Sequence, residues 1–552
     1  MRFLVSVGVA VVAMGCVMSA EEAAPGAKAH RDAALILIPL DWCALANPMA
    51  IKVPSQCKTV QAALDMAADG GTITLASGVY LENVVVAKKV TLAGAGTQAT
   101  RIVGPNAALP TVFFAAKAGG TVQSLAISGG SEAIAAGETT LSGTLLLPGA
   151  VTLKQVLIDS TPAGVRGWFA ALTLDTVTVT GPTQGGLVLK RANALSVSNS
   201  TVTASGGAGI SVAAPTTLAC TVAVTGSTLS NHAGAGLAVT GKSCSTMVSG
   251  GNINGNKGAG IDVTGGPGKL SVSGPSVLGN WGAGVRVSGG TGAINLASAL
   301  ILGNGGAGVL VTGAHVVDLG SLTVSSNGGN GIELQLSGAG RASAANVGAS
   351  ANGGMGLHVA GGAGPNSVWK SSFQFNHEAG ISLWKTGPTQ VSMVVASDTA
   401  ATILQSTTSK VGAFGDGIRV WASDASVTHA LLEFNARAGA SIFGCGGPGA
   451  TADGARLTIS EDTMTCNAFS LDIETTPACS AGKPWLEDWG INACRTDTCA
   501  AAPHGWDVAY SAEVGCTTAS GLDYECYKAA IAPWGACKAM SSSLDPLTVP
   551  GL

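Results

Sequence analysis

Residues 256–263 read NKGAGIDV, and the phrase returns as NWGAGVRV at 280–287, NGGAGVLV at 304–311, NGGNGIEL at 327–334 and NGGMGLHV at 352–359. Taking the aliphatic residue after the last glycine as a marker gives Leu237, Ile261, Val285, Val309, Ile332, Leu357 and Ile381, in steps of 24, 24, 24, 23, 25 and 24 residues. So regular a period means one supersecondary unit per repeat. Weaker copies put markers at Val165, Leu187 and Ile210 upstream and at Ile418, Ala440 and Leu471 downstream. Short β-rich pieces separated by Gly and Asn, with no run of helical length, make each unit a coil of strands and turns. About 13 such coils stacked at about 4.8 Å give a solenoid roughly 60 Å long. The expected fold is all-β, a right-handed parallel β-helix over residues 51–475, its hand set by the strong bias of parallel crossovers.

Composition agrees with a thin, elongated core. The chain has 552 residues, 79 of them Gly, with 11% charged and 4% aromatic residues. It is too apolar for disorder and too poor in large side chains for one thick globular core. The net charge is −4 and the 28 Lys and Arg are dispersed, which excludes a nucleic-acid partner as the expectation.

Met1–Ala20 has one early Arg and then an apolar run of signal-peptide length, so export is expected. Ala13-Met14-Gly15-Cys16 resembles a bacterial lipoprotein signal, with Cys16 as the lipid-bearing residue; cleavage after Ala20 is the alternative. Lipidation of Cys16 turns 13 cysteines into 12 that can all pair. With Val17 after the Cys, the resemblance implies an outer-membrane or cell-surface location. Without a lipid the protein is extracellular or periplasmic. Residues 21–50 read as a tether leading into the fold.

Residues 59–96, TVQAALDMAADGGTITLASGVYLENVVVAKKVTLAGAG, place apolar residues at helical spacing before Gly70-Gly71 and then turn to β-type runs. The segment resembles the opening of the pectin lyase-like right-handed parallel β-helix superfamily. There a short helix caps the first coil, and a G-x-Y-x-E-N phrase followed by K-x-V-T-L-x-G-x-G starts the winding. The resemblance implies the architecture and leaves the reaction open, because pectin esterases, epimerases and proteins without known activity begin alike.

Asn256, Asn280, Asn304, Asn327, Asn352 and Asn376 all stand five residues before their markers, as Asn435 does before Ala440, so stacking builds an asparagine ladder. Asn and Gly are expected at the turn because they tolerate left-handed backbone angles. On the marker strand alternate residues face outward. The first outward row includes Asp262, Arg286, Glu333, His358, Ser382, Arg419 and Ser441; the second runs Thr240, Thr264, Ser288, Thr312, Gln335, Ala360, Trp384 and Trp421. The two tryptophans lie at one phase of consecutive coils, separated by 37 residues instead of 24. They form the expected platform for sugar rings, with Ser382, Lys385 and Arg419 as polar contacts. The alternative is that the inserted loop folds back and buries both rings.

Cys220 and Cys244 are each 17 residues before a marker, so they share a phase and are expected to form a disulfide; proximity pairs Cys43 with Cys57. Eight of the 13 Cys lie from Cys445 onward, and residues 476–552 read as a Cys- and Trp-rich cap or small module. Its CRTDTC spacing lacks a second pair, so no metal is expected.

The superfamily's enzymes act on acidic polysaccharides, but their complete motifs are missing. Gly415-Asp416-Gly417-Ile418-Arg419 is a partial echo, and Asp416, Asp424, His429 and Glu433 are the acidic cluster nearest the tryptophans in sequence. The favoured expectation is a surface-anchored, non-catalytic protein binding polysaccharide or cell-surface glycan, without cofactor. One alternative is a polysaccharide lyase or glycoside hydrolase using Asp416, Arg419 and His358, with calcium only in the lyase case. The other is a spacer without ligand.

Overall fold

A computed structural model describes residues 43–139, 145–146, 149–213, 219–241, 244–266, 268–290, 292–313, 315–400, 402–405, 410–436, 438–443, 455–465, 467 and 469–474, with short strands at 485–488, 493–494, 517–518 and 521–522. Cys16, the signal-like segment and most of the Cys-rich tail lie outside the described residues.

Winding starts at a helix, Val60–Met66. Thr59 caps it by accepting from the Ala62 N–H at 3.1 Å, and Val60, Ala63 and Leu64 bury its apolar side. The Y-x-E-N phrase locks the next coil to this cap. Glu82 accepts from the Val60 and Gln61 N–H groups at 2.8 and 2.9 Å, satisfying two donors the helix leaves open. Tyr80 donates to the Ala76 carbonyl at 3.0 Å, and the Asn83 amide holds the loop at Asn106 and Pro110. Cys43 and Cys57 are disulfide-bonded beside this cap, with Cα atoms 4.4 Å apart.

Each coil contributes three strands, and each strand pairs in parallel with its counterpart one coil on. The marker face runs through Leu237–Thr240, Ile261–Thr264 and Val285–Ser288; a second face through Cys220–Thr225, Cys244–Ser249 and Lys269–Ser273; a third through Thr228–Ser230, Asn252–Asn254 and Ser276–Leu278. The markers from Val165 to Ala440 point inward and are fully buried in a single file of aliphatic side chains, with Leu471 partly buried at the end. Cys220 lies opposite Cys244 in the parallel register and the two form a disulfide, their Cα atoms 4.4 Å apart.

The solenoid has about 15 turns, not 13. The marker ladder already includes Val84, Val112 and Ile134, whose coils lack the Asn-Gly phrase and so escape the period. At the other end Trp485–Asp488 and Ala493–Cys494 continue the second and third faces past residue 475.

The asparagines form a continuous buried ladder. Each Nδ2 donates to the next Oδ1, at 2.8 Å for Asn256–Asn280, 2.9 Å for Asn280–Asn304 and Asn304–Asn327, and 3.0 Å for Asn327–Asn352 and Asn352–Asn376. The second proton of Asn304 goes to the Val277 carbonyl at 3.2 Å, and its oxygen also accepts the Asn280 N–H at 3.0 Å. Every capacity of the amide is used, so it can sit buried at little cost. Ladder contacts resume at Asn435–Asn467, 2.9 Å.

One expectation is corrected. The left-handed residue is the one before each Asn, such as Gly303 at φ 63° or Ser326 at φ 56°. The last glycine of the phrase is required by space instead. A Cβ on Gly284 would lie 2.6 Å from the Gly308 carbonyl oxygen and 2.5 Å from an Ile301 methyl carbon.

Below Asn256 the ladder position is taken by His232, which is fully buried. Its N–H donates to Asn256 Oδ1 and its Nδ1 accepts from the Ser205 N–H, both at 3.1 Å. Burial pushes its pKa down to about 4. Protonation would put a charge in this buried position, and Nδ1 could no longer accept the Ser205 N–H.

Two outcomes are expected. Asn304→Ala should cost about 3 kcal/mol in urea unfolding, because the buried Asn280 N–H and Nδ2, the Asn327 Oδ1 and the Val277 carbonyl each lose a hydrogen bond. The folded His232 binds its proton near pH 4 and the unfolded one near 6.5, so its contribution is complete above about pH 6.5 and is lost as pH falls toward 4. Unfolding titrated over that range should show a loss of about 3 kcal/mol that His232→Asn removes.

Candidate functional site

The candidate side chains lie on the marker wall, whose outward positions are free of the core. Near its C-terminal end Trp384 and Trp421 are in register and stack on each other, with ring centroids 4.9 Å apart and planes 6° from parallel. Each indole therefore covers one face of the other. What the pair offers a ligand is an outer face and its edges. Trp384 remains 42% exposed.

Two of the three polar residues expected beside it are covered. Ser382 and Arg419 point outward from the strand but are buried, as are Asp416 and Ser441. Arg419 Nε lies 3.3 Å from Asp416 Oδ2, its Nη2 donates to the Glu378 carbonyl at 2.9 Å, and Ser441 donates to Asp416 at 3.0 Å. Asp416 and Arg419 are thus a covered structural pair. Lys385 is half-buried just past Trp384, and its backbone N–H donates to the Trp421 carbonyl at 2.9 Å.

The remaining candidates are not brought together. His358 lies in register between Glu333 and Ser382. Burial lowers its pKa most, with Glu333 acting against that shift and Arg419 with it. Asp424 is exposed on the second face, Glu433 lies on the third, and His429 pairs with Glu461. The acidic cluster near the tryptophans in sequence is dispersed over three faces because one coil turns through all of them. The Asp262–Arg286 neighbours form an exposed bidentate ion pair, Nε to Oδ1 at 2.9 Å, worth little to stability.

Among the described residues a well-formed cleft lies toward the opposite end of the same wall. It encloses about 410 Å³, with Val85, Leu109, Phe113, Arg166, Trp168 and Lys190 among its lining. Its local cause is a bulge. The strand Ala163–Asp175 shifts register between Gly167 and Trp168, so Trp168 pairs with Arg191 and Lys190 becomes the extra residue. Gly167, at φ 137°, allows this, since a Cβ there would lie 2.2 Å from the Ala136 carbonyl oxygen. Lys190 Nζ rests 5.0 Å from the centre of the Trp168 ring. Arg166 sits 3.3 Å from Glu132, hydrogen-bonds Gln184, and keeps its Nε without a partner among the described residues.

This cleft was within reach of the sequence. Arg166 stands one residue after the marker Val165, and Trp168 and Lys190 stand three after Val165 and Leu187, in the same outward row as Trp384. Extending that row upstream identifies them. The floor residues Leu109 and Phe113 belong to turns that the period does not reach.

Residues 127–301 match the family model described as a right handed beta helix region. Among solved structures the chain is similar to the A-module of the Azotobacter vinelandii mannuronan C-5 epimerase AlgE4, at 12% identity over 79% of this chain and 92% of that one, TM-score 0.28. It is also similar to tailspike protein 3 of Bacteriophage CBA120, at 11% identity over 77% and 56%, TM-score 0.29. A third is a mannuronic acid specific polysaccharide family 6 lyase from human gut microbiota, at 8% identity over 85% and 94%, TM-score 0.21. No curated protein matches the chain. What those structures act on is theirs alone; the parallel ladders and the matched repeat region together make this chain a right-handed parallel β-helix protein.

Proposed function

We propose that this is an exported, surface-held β-helix protein whose marker wall binds polysaccharide without cleaving it, the lipid on Cys16 serving as its membrane anchor. The observation that carries the reading is the Trp168 cleft. It combines an aromatic face, an apolar floor and two cations in a concave site, the combination that grips a sugar ring by its C–H face and its substituents. The Lys190 ammonium over the Trp168 ring and the Arg166 guanidinium in the lining favour a glycan carrying carboxylates. Glu132 is the one carboxylate among the lining residues, and it is held by Arg166 and Ser131. Hydrolysis of a glycosidic bond ordinarily uses two. At the other end of the wall, Asp416 and Arg419 neutralise each other under cover.

A glycan array read together with reducing-sugar and unsaturated-product assays tests this. Binding without turnover is expected, with an anionic probe such as mannuronan held more tightly than a neutral α-1,3-glucan. Trp168→Ala should weaken binding roughly tenfold or more, and Lys190→Ala should remove much of its salt dependence. Turnover of any bound glycan, or a blank array, contradicts the reading. Asp416→Ala should act on stability, costing about 3–5 kcal/mol by leaving Arg419 buried without its carboxylate. Most of that should return in Asp416→Ala/Arg419→Met, measured by urea unfolding.

A further inference from the structure

Trp168 and Trp384 occupy the same outward row of the marker face, each three residues past its marker, Val165 and Ile381. The markers are linked by nine successive in-register pairings, through Leu187, Ile210, Leu237, Ile261, Val285, Val309, Ile332 and Leu357. At about 4.8 Å per coil the two aromatic residues stand about 43 Å apart along one wall.

The row between them is suited to a sugar chain. It presents Thr240, Thr264, Ser288, Thr312 and Gln335, none of them buried, and the Thr240 and Thr264 hydroxyls lie 3.2 Å apart. No large side chain interrupts it. At its far end Trp384 stacks on Trp421 on one side, while the residue in register on the other side is only Ala360. The outer indole face is therefore turned toward the middle of the wall, consistent with its 42% exposure. Both ends of the row thus close on an indole, and the track between them is hydroxylated.

We infer that the marker wall is a two-station site for a single extended polysaccharide lying along the solenoid axis, gripped by the Trp168 cleft at one end and by the outer face of Trp384 at the other. The inference rests on the polysaccharide-binding reading above and adds a length requirement to it. Taking about 5 Å per sugar residue, chains of two to four residues reach one station and those of roughly nine or more reach both. A second contact made by an already bound chain is intramolecular, so affinity rises in a step and not in proportion to length.

The test is calorimetric titration of the full-length protein with size-fractionated oligouronates of two to twelve residues. The expected result is a rise in affinity of at least tenfold between about seven and ten residues, lost in Trp384→Ala and kept in Trp384→Tyr, with folding of each variant checked by its melting curve. Trp168→Ala should weaken short and long chains alike. Affinity that climbs smoothly with length, or a step that survives Trp384→Ala, overturns the two-station site while binding sensitive to Trp168→Ala leaves the simpler reading intact. No binding at any length, or binding indifferent to Trp168→Ala, overturns both.

Discussion

The structure depends on burying the turn that leads into the marker strand. Parallel coils bring identical turns within a strand spacing of each other, which excludes water from their backbone groups and requires every donor and acceptor to find a partner inside the protein. The asparagine ladder meets that demand, since one side chain donates and accepts twice and its copy one coil on does the same. Glycine follows from the same closeness, because the carbonyl of the next coil stands where a Cβ would be. The scaffold therefore fixes the turn and leaves the outward positions of the strand free to vary.

That division of labour explains where function can be placed. The marker wall carries an apolar cleft at one end, a stacked indole pair at the other and a hydroxylated row between, all on the one periodic surface. Its charged residues have largely been committed to one another, as in Asp262–Arg286 and Asp416–Arg419. Lys190, resting on an indole, and Arg166, paired with Glu132, are the cations that line the cleft. Such a wall fits the proposed role of holding a repetitive partner along its length.

The ladder, the coil of strands and turns and the Cys220–Cys244 pairing were all legible in the sequence because they obey the 24-residue period, and periodicity carries their positions directly. The two to three turns before Val165 were not, since their coils vary in length and use other turn residues. The candidate site was legible only in part. Phase alone places Trp384 beside Trp421, but whether two neighbouring rings open outward or stack on each other depends on side-chain torsions that phase does not determine. Nor does phase show that an outward residue such as Arg419 is buried against Asp416 and the Glu378 carbonyl. The Trp168 cleft required both a bulge, which breaks alternation, and floor residues from non-periodic turns.

The central claim is that the outward row of the marker wall, and not the conserved-looking phrase that supports it, meets the ligand. Hydrogen–deuterium exchange of the intact protein with and without a bound polysaccharide tests this most directly. The account predicts new protection at 109–113, 166–168 and 188–191, with the ladder turns at 256–260, 280–284 and 304–308 unchanged because they are already protected. Protection confined to the polar groove around Arg341 and Gln390 on the second face, or to the Cys-rich tail, would contradict it.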